Sequence, residues 1–463
     1  MPQVFGSTTA GSADCRSLAP VSPPHEAECG QALACPASRP TIPGAADPRS
    51  ATVLIVEPDF TGHRWRYAQW AAQAFEEAGF SCVIATMPAN EGHPLVRDIV
   101  QARKPELDIA FVDMPPPARS VAVHVERIPY VRYHRYFAHA FEQVAARTPV
   151  SLVVVPYVDY FLYAVPFLGS PFADTAWIGI TMRATFHHRQ VGVKAPDRRL
   201  VNAVKAQLFR HAARARGLRT LLSIDPTLPE WSARALARTN AGACSRASIA
   251  YLADPFPDAR PDEPAAARSR LRFGPGPHLL VYGSITDRKG IRELVAALER
   301  MKQAPTLVVA GEQDAATRAF LHAHASRLTP EPVIVDRFVT DEFERDLFSA
   351  CDVVWLGYKG HYGMSGVLVQ AYRFGKRVVA TSEGLIGWFC AGGALGPVLD
   401  DLSPEAVARG IETALGETAF EGGRTITGSH DALLARNTLS GFKRTLREAA
   451  AAGACDSASP LDA

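Results

Sequence analysis

The sequence LLVYGSITDRKGIRELVAALERM, residues 279–301, begins with an apolar run and turns through small and polar residues into a segment with helical spacing. The run Leu279–Tyr282 has the length and composition of a buried strand. Five apolar residues then recur at the spacing of one helix face: Ile291, Leu294, Val295, Leu298 and Met301. A strand followed directly by an amphipathic helix is the repeating unit of a parallel sheet covered by helices.

The same alternation of short β-branched runs and helical segments extends in both directions along the chain. Downstream, the sequence predicts strands at Thr306–Ala310, Val333–Val335, Val353–Leu356 and Val378–Ala380. Upstream, after residue 50, it predicts a helix at His63–Ala78 and strands at Thr52–Val56, Cys82–Thr86, Ile109–Asp113, Leu152–Val155, Ile178–Met182, Leu218–Ser223 and Ser248–Leu252. This pattern indicates an α/β protein with two parallel sheets.

A stretch rich in proline and glycine separates the two groups of strands. After Asp254 the chain contains PFPDARPDEPAAARSRLRFGPGP, whose composition predicts neither a continuous helix nor a central strand. We expect a disordered extension at residues 1–50, an N-terminal Rossmann-like domain at 51–255, a linker at 256–277, a C-terminal Rossmann-like domain at 278–425, and a C-terminal helix (about Asp431–Ala450) with a tail at 426–463. Two Rossmann-like, doubly wound domains that face a cleft would bind ligands at the carboxyl ends of their strands.

The bulk composition argues against nucleic-acid binding. The 463 residues include 49 basic and 47 acidic side chains, a formal net charge of +2, so no strong overall field attracts a polyanion. Eight cysteines include no CxxC pair and no Cys/His cluster spaced for zinc, which indicates a reducing compartment and no zinc site of that kind. We also expect no cofactor. Residues 1–50 have no signal-peptide pattern, and the apolar stretch Val150–Leu168 is interrupted by prolines and an aspartate. We therefore expect a soluble, cytoplasmic protein.

The turn after the strand Leu279–Tyr282 is a candidate phosphate site. Gly283 lets a ligand approach the main chain, and Lys289 adds a cation near the start of the following helix. The alternative is an ordinary strand-to-helix turn in which Arg288 and Lys289 are merely solvated.

A second candidate site is the loop KGHYGMSG, residues 359–366, between a strand and a helix. Its glycines at 360, 363 and 366 leave main-chain N–H groups able to face a cleft, and Ser365 is positioned to cap the helix. A pyrophosphate fits such a helix start, although glycines also serve tight turns for purely structural reasons.

In order and spacing, these two motifs, the run Leu307–Gly311 and the segment Gly375–Ala380 resemble the C-terminal domain of retaining family-4 glycosyltransferases. The resemblance covers roughly residues 277–390. It is weaker in the N-terminal half, where TVLIVEPDFTGHR (residues 52–64) is similar to the family's first strand and glycine loop, with Gly62 and His63 at the turn.

The resemblance implies a GT-B fold and a metal-independent hexosyltransferase. It also implies that residues 278–425 form the donor domain, which holds a nucleotide-diphosphate sugar, and that residues 51–255 form the acceptor domain. It implies that Lys289 contacts the donor diphosphate, and that the main chain of Gly363, Met364, Ser365 and Gly366 holds phosphate and sugar hydroxyls.

Two departures from the family pattern affect the donor site. Ser284 stands where the family often has arginine, so one diphosphate cation is missing unless Arg288 replaces it. Tyr362 and Gln370 stand where the family has two glutamates, of which one meets the donor sugar and the other the ribose. The Gln370 amide retains hydrogen-bonding capacity toward ribose hydroxyls, whereas Tyr362 lacks a carboxylate's charge.

The N-terminal domain offers Arg183, His187 and His188, just after the strand Ile178–Met182, as candidate catalytic residues. Cations and hydrogen-bond donors there suit stabilisation of a leaving phosphate. The alternative for His187 and His188 is that they are exposed loop residues.

The segment Arg198–Arg219 contains seven cations, against the single carboxylate of Asp197 at its start. A solvated helix face is our expectation, because Leu200, Val204 and Leu208 fit ordinary core packing. Peripheral contact with the inner face of a membrane is the alternative, since basic helices lie on anionic lipid surfaces.

These observations predict a glycosyltransferase of polysaccharide or glycoconjugate biosynthesis that transfers a sugar from a nucleotide-diphosphate donor to a hydroxyl of a saccharide, lipid or small molecule, with retention. A GT-B sugar-nucleotide epimerase fits the motifs less well. A non-catalytic GT-B protein that binds sugar nucleotides, or serves as a partner subunit, stays open because of Tyr362 and Gln370.

Overall fold

The strands of this protein form two parallel sheets in a computed structural model that describes residues 51–61, 64–116, 128–237, 247–256, 260–391, 395–416 and 429–452. The strands are β1 (Thr52–Val56), β2 (Ser81–Thr86), β3 (Leu107–Phe111), β4 (Val150–Val155), β5 (Trp177–Thr181), β6 (Leu218–Ser223), β7 (Ser248–Tyr251), β8 (His278–Tyr282), β9 (Thr306–Ala310), β10 (Val333–Val335), β11 (Val353–Leu356), β12 (Arg377–Thr381) and β13 (Val398–Leu399).

Helices occupy the connections between these strands. They are α1 (Arg64–Glu76), α2 (Pro94–Ala102), α3 (Pro129–Ala145), α4 (Val165–Leu168), α5 (Arg199–Ala212), α6 (Thr227–Ala237), α7 (Pro264–Leu271), α8 (Ile291–Leu298), α9 (Ala315–His324), α10 (Asp341–Ala350), α11 (Gly366–Arg373), α12 (Gly384–Ala391), α13 (Pro404–Gly416), α14 (Ser429–Leu434) and α15 (Leu439–Ala451). Short 3₁₀ turns lie at Pro88–Asn90, Val158–Tyr160, His188–Val191, Asp287–Lys289 and Ala325–Arg327.

The order of the strands places a crevice in each sheet. The first sheet has the order β3-β2-β1-β4-β5-β6-β7 and the second the order β10-β9-β8-β11-β12-β13. The strand order reverses between β1 and β4 in the first sheet and between β8 and β11 in the second, and ligands bind outside the carboxyl ends of strands at such switch points. The prediction of two doubly wound α/β domains is confirmed.

Each sheet is covered on both faces, which explains why its strands are continuous apolar runs. All five residues of β1 are buried, as are all five of β9. Apolar clusters lie on both sides of each sheet, two in the first domain and two in the second. The alternation of apolar runs and helices in the sequence follows from this layering.

The predicted linker contains a helix that its composition did not predict. Helix α7 begins with Pro264 at its first turn, where the missing N–H removes no helical hydrogen bond. The helix packs against α10, and Arg268 binds Asp352 through two N–H···O contacts of 2.7 and 2.8 Å. This helix spans only Pro264–Leu271, so it does not contradict the prediction that no continuous helix extends from Asp254 to Pro277.

The predicted C-terminal helix is in fact two helices, α14 and α15. The side chain of Asn437 donates to the carbonyl of Leu434 (2.9 Å), and Thr438 caps α15 by accepting from the N–H of Gly441 (3.1 Å). The second helix packs on the first domain, where Phe442 and other residues of α15 join the core beside α1. Among the described residues, no helix combines the length and the apolar character needed to cross a bilayer.

Candidate functional site

A cleft of about 690 Å³ lies between the two domains, at the carboxyl ends of their strands. On the first domain, Tyr157 follows β4, Arg183 follows β5 and Asp254 follows β7. On the second, Arg288 follows β8 and Tyr362 follows β11. Both switch points thus contribute to one cavity, which also contains Gly363, Met364 and Gly366 from the predicted loop. A second cavity of about 670 Å³, beside α5 and α6, contains none of the predicted site residues.

Arg288 is held toward the cleft by a histidine of the glycine-rich loop. Its Nη1 lies 3.0 Å from Nδ1 of His361, whose Nε2 lies 3.1 Å from the carbonyl oxygen of Met364. The imidazole therefore accepts from Arg288 and donates to Met364, which requires the neutral form protonated at Nε2. Burial and the nearby Arg288 charge lower the pKa of His361 to about 4, in agreement with this form. Sequence reasoning missed His361, although it lies within the quoted loop.

The Lys289 side chain points back beneath the end of β8. Its Nζ donates to the carbonyl of Tyr282 (2.7 Å) and to the hydroxyl of Tyr358, and the side chain is only 4% exposed. Gly283 adopts φ +97°, and a Cβ built there would lie 3.6 Å from Nζ. Burial, aided by the charge of Arg288, lowers the pKa of Lys289 to about 7. The ammonium group thus lies just behind a glycine at the strand end, and neither Gly283 nor Ser284 is among the residues that line the main cleft.

The start of α11 differs in detail from the prediction. Ser365 occupies the N-cap position, but its side chain makes no capping hydrogen bond and instead bonds to Tyr358. The expected cap was therefore wrong, because the buried Tyr358 hydroxyl competes for the serine. Gly366 is required by packing: a Cβ there would come within 2.4 Å of the Phe256 ring.

Gln370 lies in a small recess beside the main cleft, lined also by Arg66, Phe256 and Glu344. Its amide nitrogen donates to one carboxylate oxygen of Glu344, and the hydroxyl of Tyr282 donates to the other at 2.5 Å. The amide oxygen of Gln370 is buried and has no hydrogen-bond partner among the described residues. Glu344, on α10, is a candidate that the sequence did not reveal, since nothing local links it to residue 370.

The first domain presents two arginines that both contact the ring of Tyr157. The guanidinium carbon of Arg64 lies 5.0 Å from the ring centroid, and that of Arg183 lies 5.4 Å from it. Nη1 of Arg64 also donates to Asp59 at 2.5 Å and to the hydroxyl of Tyr160 at 2.6 Å. Cation–π contacts of this kind hold a guanidinium in place without neutralising its charge.

Glu57, at the end of β1, is a buried carboxyl group next to this cluster. One of its oxygens accepts from the hydroxyl of Tyr160 (3.1 Å) and the main-chain N–H of Asp59 (3.2 Å). Its second oxygen has no partner among the described residues. Burial raises the pKa of Glu57 to about 8, so the group is mostly protonated at neutral pH.

His187 and His188 do not face the cleft. Both imidazoles are buried, at 0% and 1% exposure, and their Nε2 atoms lie 3.1 and 2.8 Å from the same Oδ2 of Asp225. Burial alone would raise the pKa of Asp225, but the hydrogen bonds from the two histidines outweigh it and hold the pKa far below its usual range. The expectation of cleft-facing or exposed loop histidines was wrong, because Asp225, after β6, supplies a buried partner.

His187, His188 and Asp225 are also a set of side chains whose atoms are close enough to hold a metal ion. Metal ligation through Nε2 would leave two buried Nδ1–H donors, and neither Nδ1 has a partner among the described residues. When each Nε2–H instead donates to Asp225, the Nδ1 atoms carry no proton. Two buried acceptors without a partner cost less free energy than two buried N–H donors without one. We therefore assign the trio to hydrogen bonding.

The histidine pair anchors a segment that reaches the second domain, which we call the bridging segment (residues 191–194). The N–H of Val193 donates to the carbonyl of His188 (3.0 Å), and the Val193 side chain joins the core of the second domain. The carbonyl of Lys194 accepts from the N–H of Gly384 (2.8 Å). A Cβ on Gly384 would lie 2.5 Å from Cα of Tyr362, so this contact adjoins the cleft. Gly62 and His63 lie outside the described residues.

Comparisons with known proteins agree with this architecture. Residues 276–417 match the family model "Glycosyl transferases group 1". Sucrose-phosphate synthase from Thermosynechococcus elongatus superposes with a TM-score of 0.56 at 15% identity, covering 88% of this chain and 98% of that one. A glycosyltransferase from Rickettsia africae gives 0.58 at 13% identity, covering 87% and 98%.

The chain has the GT-B fold. The Anabaena protein HepE in complex with UDP gives a TM-score of 0.58 at 15% identity, covering 86% of this chain and 98% of that one. No curated protein sequence matches the chain. The GT-B fold predicted from the motifs at 282–290 and 359–366 is confirmed.

Proposed function

We propose that this protein is a retaining, metal-independent glycosyltransferase that moves a sugar from a nucleotide-diphosphate donor to a hydroxyl acceptor. The observation that carries the proposal is the convergence of Arg288, Arg183 and the glycine-rich loop on one cleft at both topological switch points. The group 1 match, residues 276–417, includes Arg288 and the loop.

In this proposal the diphosphate lies near Arg288, Lys289 and the first turn of α11. Negative charge grows on the diphosphate as its bond to the anomeric carbon breaks, and preorganised cations stabilise that charge. Arg288 takes the role of the arginine that the family often has at position 284, where this chain has serine. His361 holds the Arg288 side chain in place. Arg288, Lys289 and the N–H groups of the loop balance the negative charge of the leaving diphosphate, so the proposal requires no metal ion.

The nucleoside lies, in this proposal, toward the recess of Gln370 and Glu344. A buried amide oxygen without a partner and a carboxylate beside it can both accept hydrogen bonds from ribose hydroxyls. The carboxylate that is missing at position 370 is thus supplied by a neighbouring helix. UDP is the first nucleotide to test, because the structurally similar HepE was solved with it.

The first domain supplies Arg183, held over Tyr157, to the leaving-group side of the cleft. His187 and His188 serve as positioning residues in this proposal, since they secure the base of the bridging segment through Asp225. The acceptor hydroxyl, on a saccharide, a lipid or a small molecule, approaches from this side.

A non-catalytic sugar-nucleotide-binding protein is the second candidate, favoured by Tyr362, an aromatic residue where a donor-sugar carboxylate is expected. Incubation with UDP-sugars, followed by NMR of the released sugar, separates the two candidates. Slow donor hydrolysis that is lost in Arg288→Gln and retained in Lys359→Met, a control whose side chain is paired with Asp287 and Glu293, supports the enzyme. Binding of UDP without any turnover supports the second candidate, and an inverted anomer in a transfer product refutes retention.

A further inference from the structure

Helix α5 has an apolar face that no other part of the described chain covers. Leu200, Val201 and Val204 are 84%, 50% and 59% exposed. The opposite face of the same helix is buried through Ala206 and Phe209. Core packing, which the sequence led us to expect for Leu200 and Val204, is therefore wrong: the helix buries one side and presents a second apolar side to solvent.

The neighbouring helix α4 extends this surface. Helices α4 and α5 pack against each other, and on α4 Phe167 is 76% and Leu168 is 46% exposed. We call these five residues, Phe167, Leu168, Leu200, Val201 and Val204, the apolar patch. Among the other large exposed apolar residues of the described chain, Tyr130 on α3 lies near this surface, whereas Val100 is on α2 and Ile334 on β10. Concentration of such residues on one surface indicates a docking site.

Cations adjoin the apolar patch along the chain. Arg198, Arg199 and Lys205 belong to the same segment, and the carboxylate that directly precedes them, Asp197, accepts from Nε of Arg199 at 3.0 Å. The ammonium group of Lys205 lies 5.9 Å from the ring of Tyr163, which in turn contacts the half-exposed Tyr130 at 5.5 Å. Apolar side chains that protrude among cations and tyrosines match the layered polarity of a bilayer interface.

We propose that the apolar patch docks on the surface of an anionic lipid bilayer. Phe167 and Leu200 enter the boundary between headgroups and acyl chains, while Arg199 and Lys205 contact the lipid phosphates. A symmetric contact with a second copy is disfavoured by charge, because it would bring these same cations against one another. The flanking cations match a surface of negative phosphates.

This surface adjoins the cleft. Arg198 directly precedes α5, and its charge opposes the rise in the pKa of Tyr362 that burial causes. Docking does not depend on the proposed function. Where that function also holds, the cleft lies beside the lipid surface, and a lipid-linked hydroxyl is the acceptor class that can reach it.

Flotation with vesicles of phosphatidylcholine, alone or with about a third phosphatidylglycerol, tests the proposal. We expect the full chain to bind the anionic vesicles, less so at high salt, and the Phe167→Gln/Leu200→Gln variant to bind about tenfold or more weakly. The matched control is Ile334→Gln/Phe338→Gln, which changes two exposed apolar residues of the second domain and should bind as the unchanged protein does.

Three results would overturn the proposal. They are absence of binding to anionic vesicles, equal loss of binding in the control variant, and self-association that the Phe167→Gln/Leu200→Gln change abolishes. Calorimetric UDP affinity and melting temperature, measured without lipid, should be the same in both variants as in the unchanged protein. Failure of lipid binding is thereby distinguished from failure of the proposed donor site.

Discussion

Replacing Lys289 with methionine removes a buried ammonium group while nearly preserving the volume of the side chain. Its Nζ donates to the carbonyl of Tyr282 and to Tyr358, and burial lowers its pKa to about 7. A bound diphosphate would stabilise the charged form. We therefore expect donor binding to take up a proton at this lysine, and the Lys289→Met variant to lose both affinity and proton uptake.

The magnitude follows from this pKa. About a tenth of the unliganded protein has neutral Lys289 at pH 6 and about nine tenths at pH 8, so diphosphate affinity should fall about tenfold over this range. At pH 6, loss of a hydrogen bond to a charged group should cost Lys289→Met about 1.5–3 kcal/mol, or about 10- to 150-fold in Kd. At pH 8 the ratio of the Kd of Lys289→Met to that of the unchanged protein should be about tenfold smaller than at pH 6.

Titration calorimetry with UDP at pH 6 and pH 8, in buffers of different ionisation enthalpy, measures affinity and proton uptake together. Because UDP itself titrates near pH 6, the comparison with Lys289→Met isolates the contribution of the protein. The control is Lys359→Met, which removes a nearby, partly buried cation paired with Asp287 and Glu293 and should keep the pH dependence. Equal affinity of Lys289→Met and the unchanged protein at pH 6 would refute the diphosphate contact.

The same residue affects stability in a direction that can be worked out. Between pH 7 and about 10.4, the usual lysine pKa, the unfolded chain binds a proton that the folded chain does not, so the unfolding free energy rises with pH. From pH 7 to pH 9 the unchanged protein should gain about 2 kcal/mol relative to Lys289→Met. Urea denaturation at both pH values checks this, and parallel pH profiles would show that Lys289 is not buried as described.

Further variants test other parts of the site. Gln370→Ala should weaken UDP about tenfold more than dUDP by calorimetry, because the lost amide faces ribose; equal losses would move the nucleoside elsewhere. Asp225→Asn should lower the unfolding free energy in urea by about 3–5 kcal/mol, since a buried charge holds two imidazoles. The pKa of Asp225 is lower in the folded protein than in the unfolded chain. The stability that the carboxylate contributes is therefore fully present above about pH 4 and is lost as the pH falls through the pKa of Asp225 in the folded protein. Gly384→Ala, at φ +64° and with its Cβ 2.5 Å from Tyr362, should impair UDP binding, whereas Gly274→Ala, which meets nothing within 4 Å and does not line the cleft, should not.

The fold was accessible from the sequence because the central strands are buried on both faces. Thr52–Val56 and Thr306–Ala310 are continuous apolar runs in the sequence and strands with the same bounds in the structure. The two-residue strand β13 and the helix α7 were missed. The first is too short to show a period, and the second forms because Arg268 and its neighbours pack on α10.

The candidate site was only partly accessible, since local motifs place a residue at a strand end but do not orient its side chain. Arg288 and Tyr362 line the cleft because they directly follow strands that end at a switch point. The direction of Lys289 depends on Tyr358, which lies 69 residues further along the chain. His187 likewise owes its burial to Asp225, a partner that no sequence pattern connects to it.

Helix α15 has a consequence for how the chain is made. The core beside α1 is completed by Phe442, whose ring lies 5.5 Å from that of Tyr67 and 6.1 Å from that of Trp70. A ribosome synthesises all of the second domain before it reaches these residues. During translation the apolar surface of α1 that α15 covers therefore stays exposed. The core of the first domain is complete only after residues 439–451 have been synthesised. A fragment that ends at the linker lacks these residues, so the first domain depends on helix α15, which follows the whole second domain in the sequence, to complete its core.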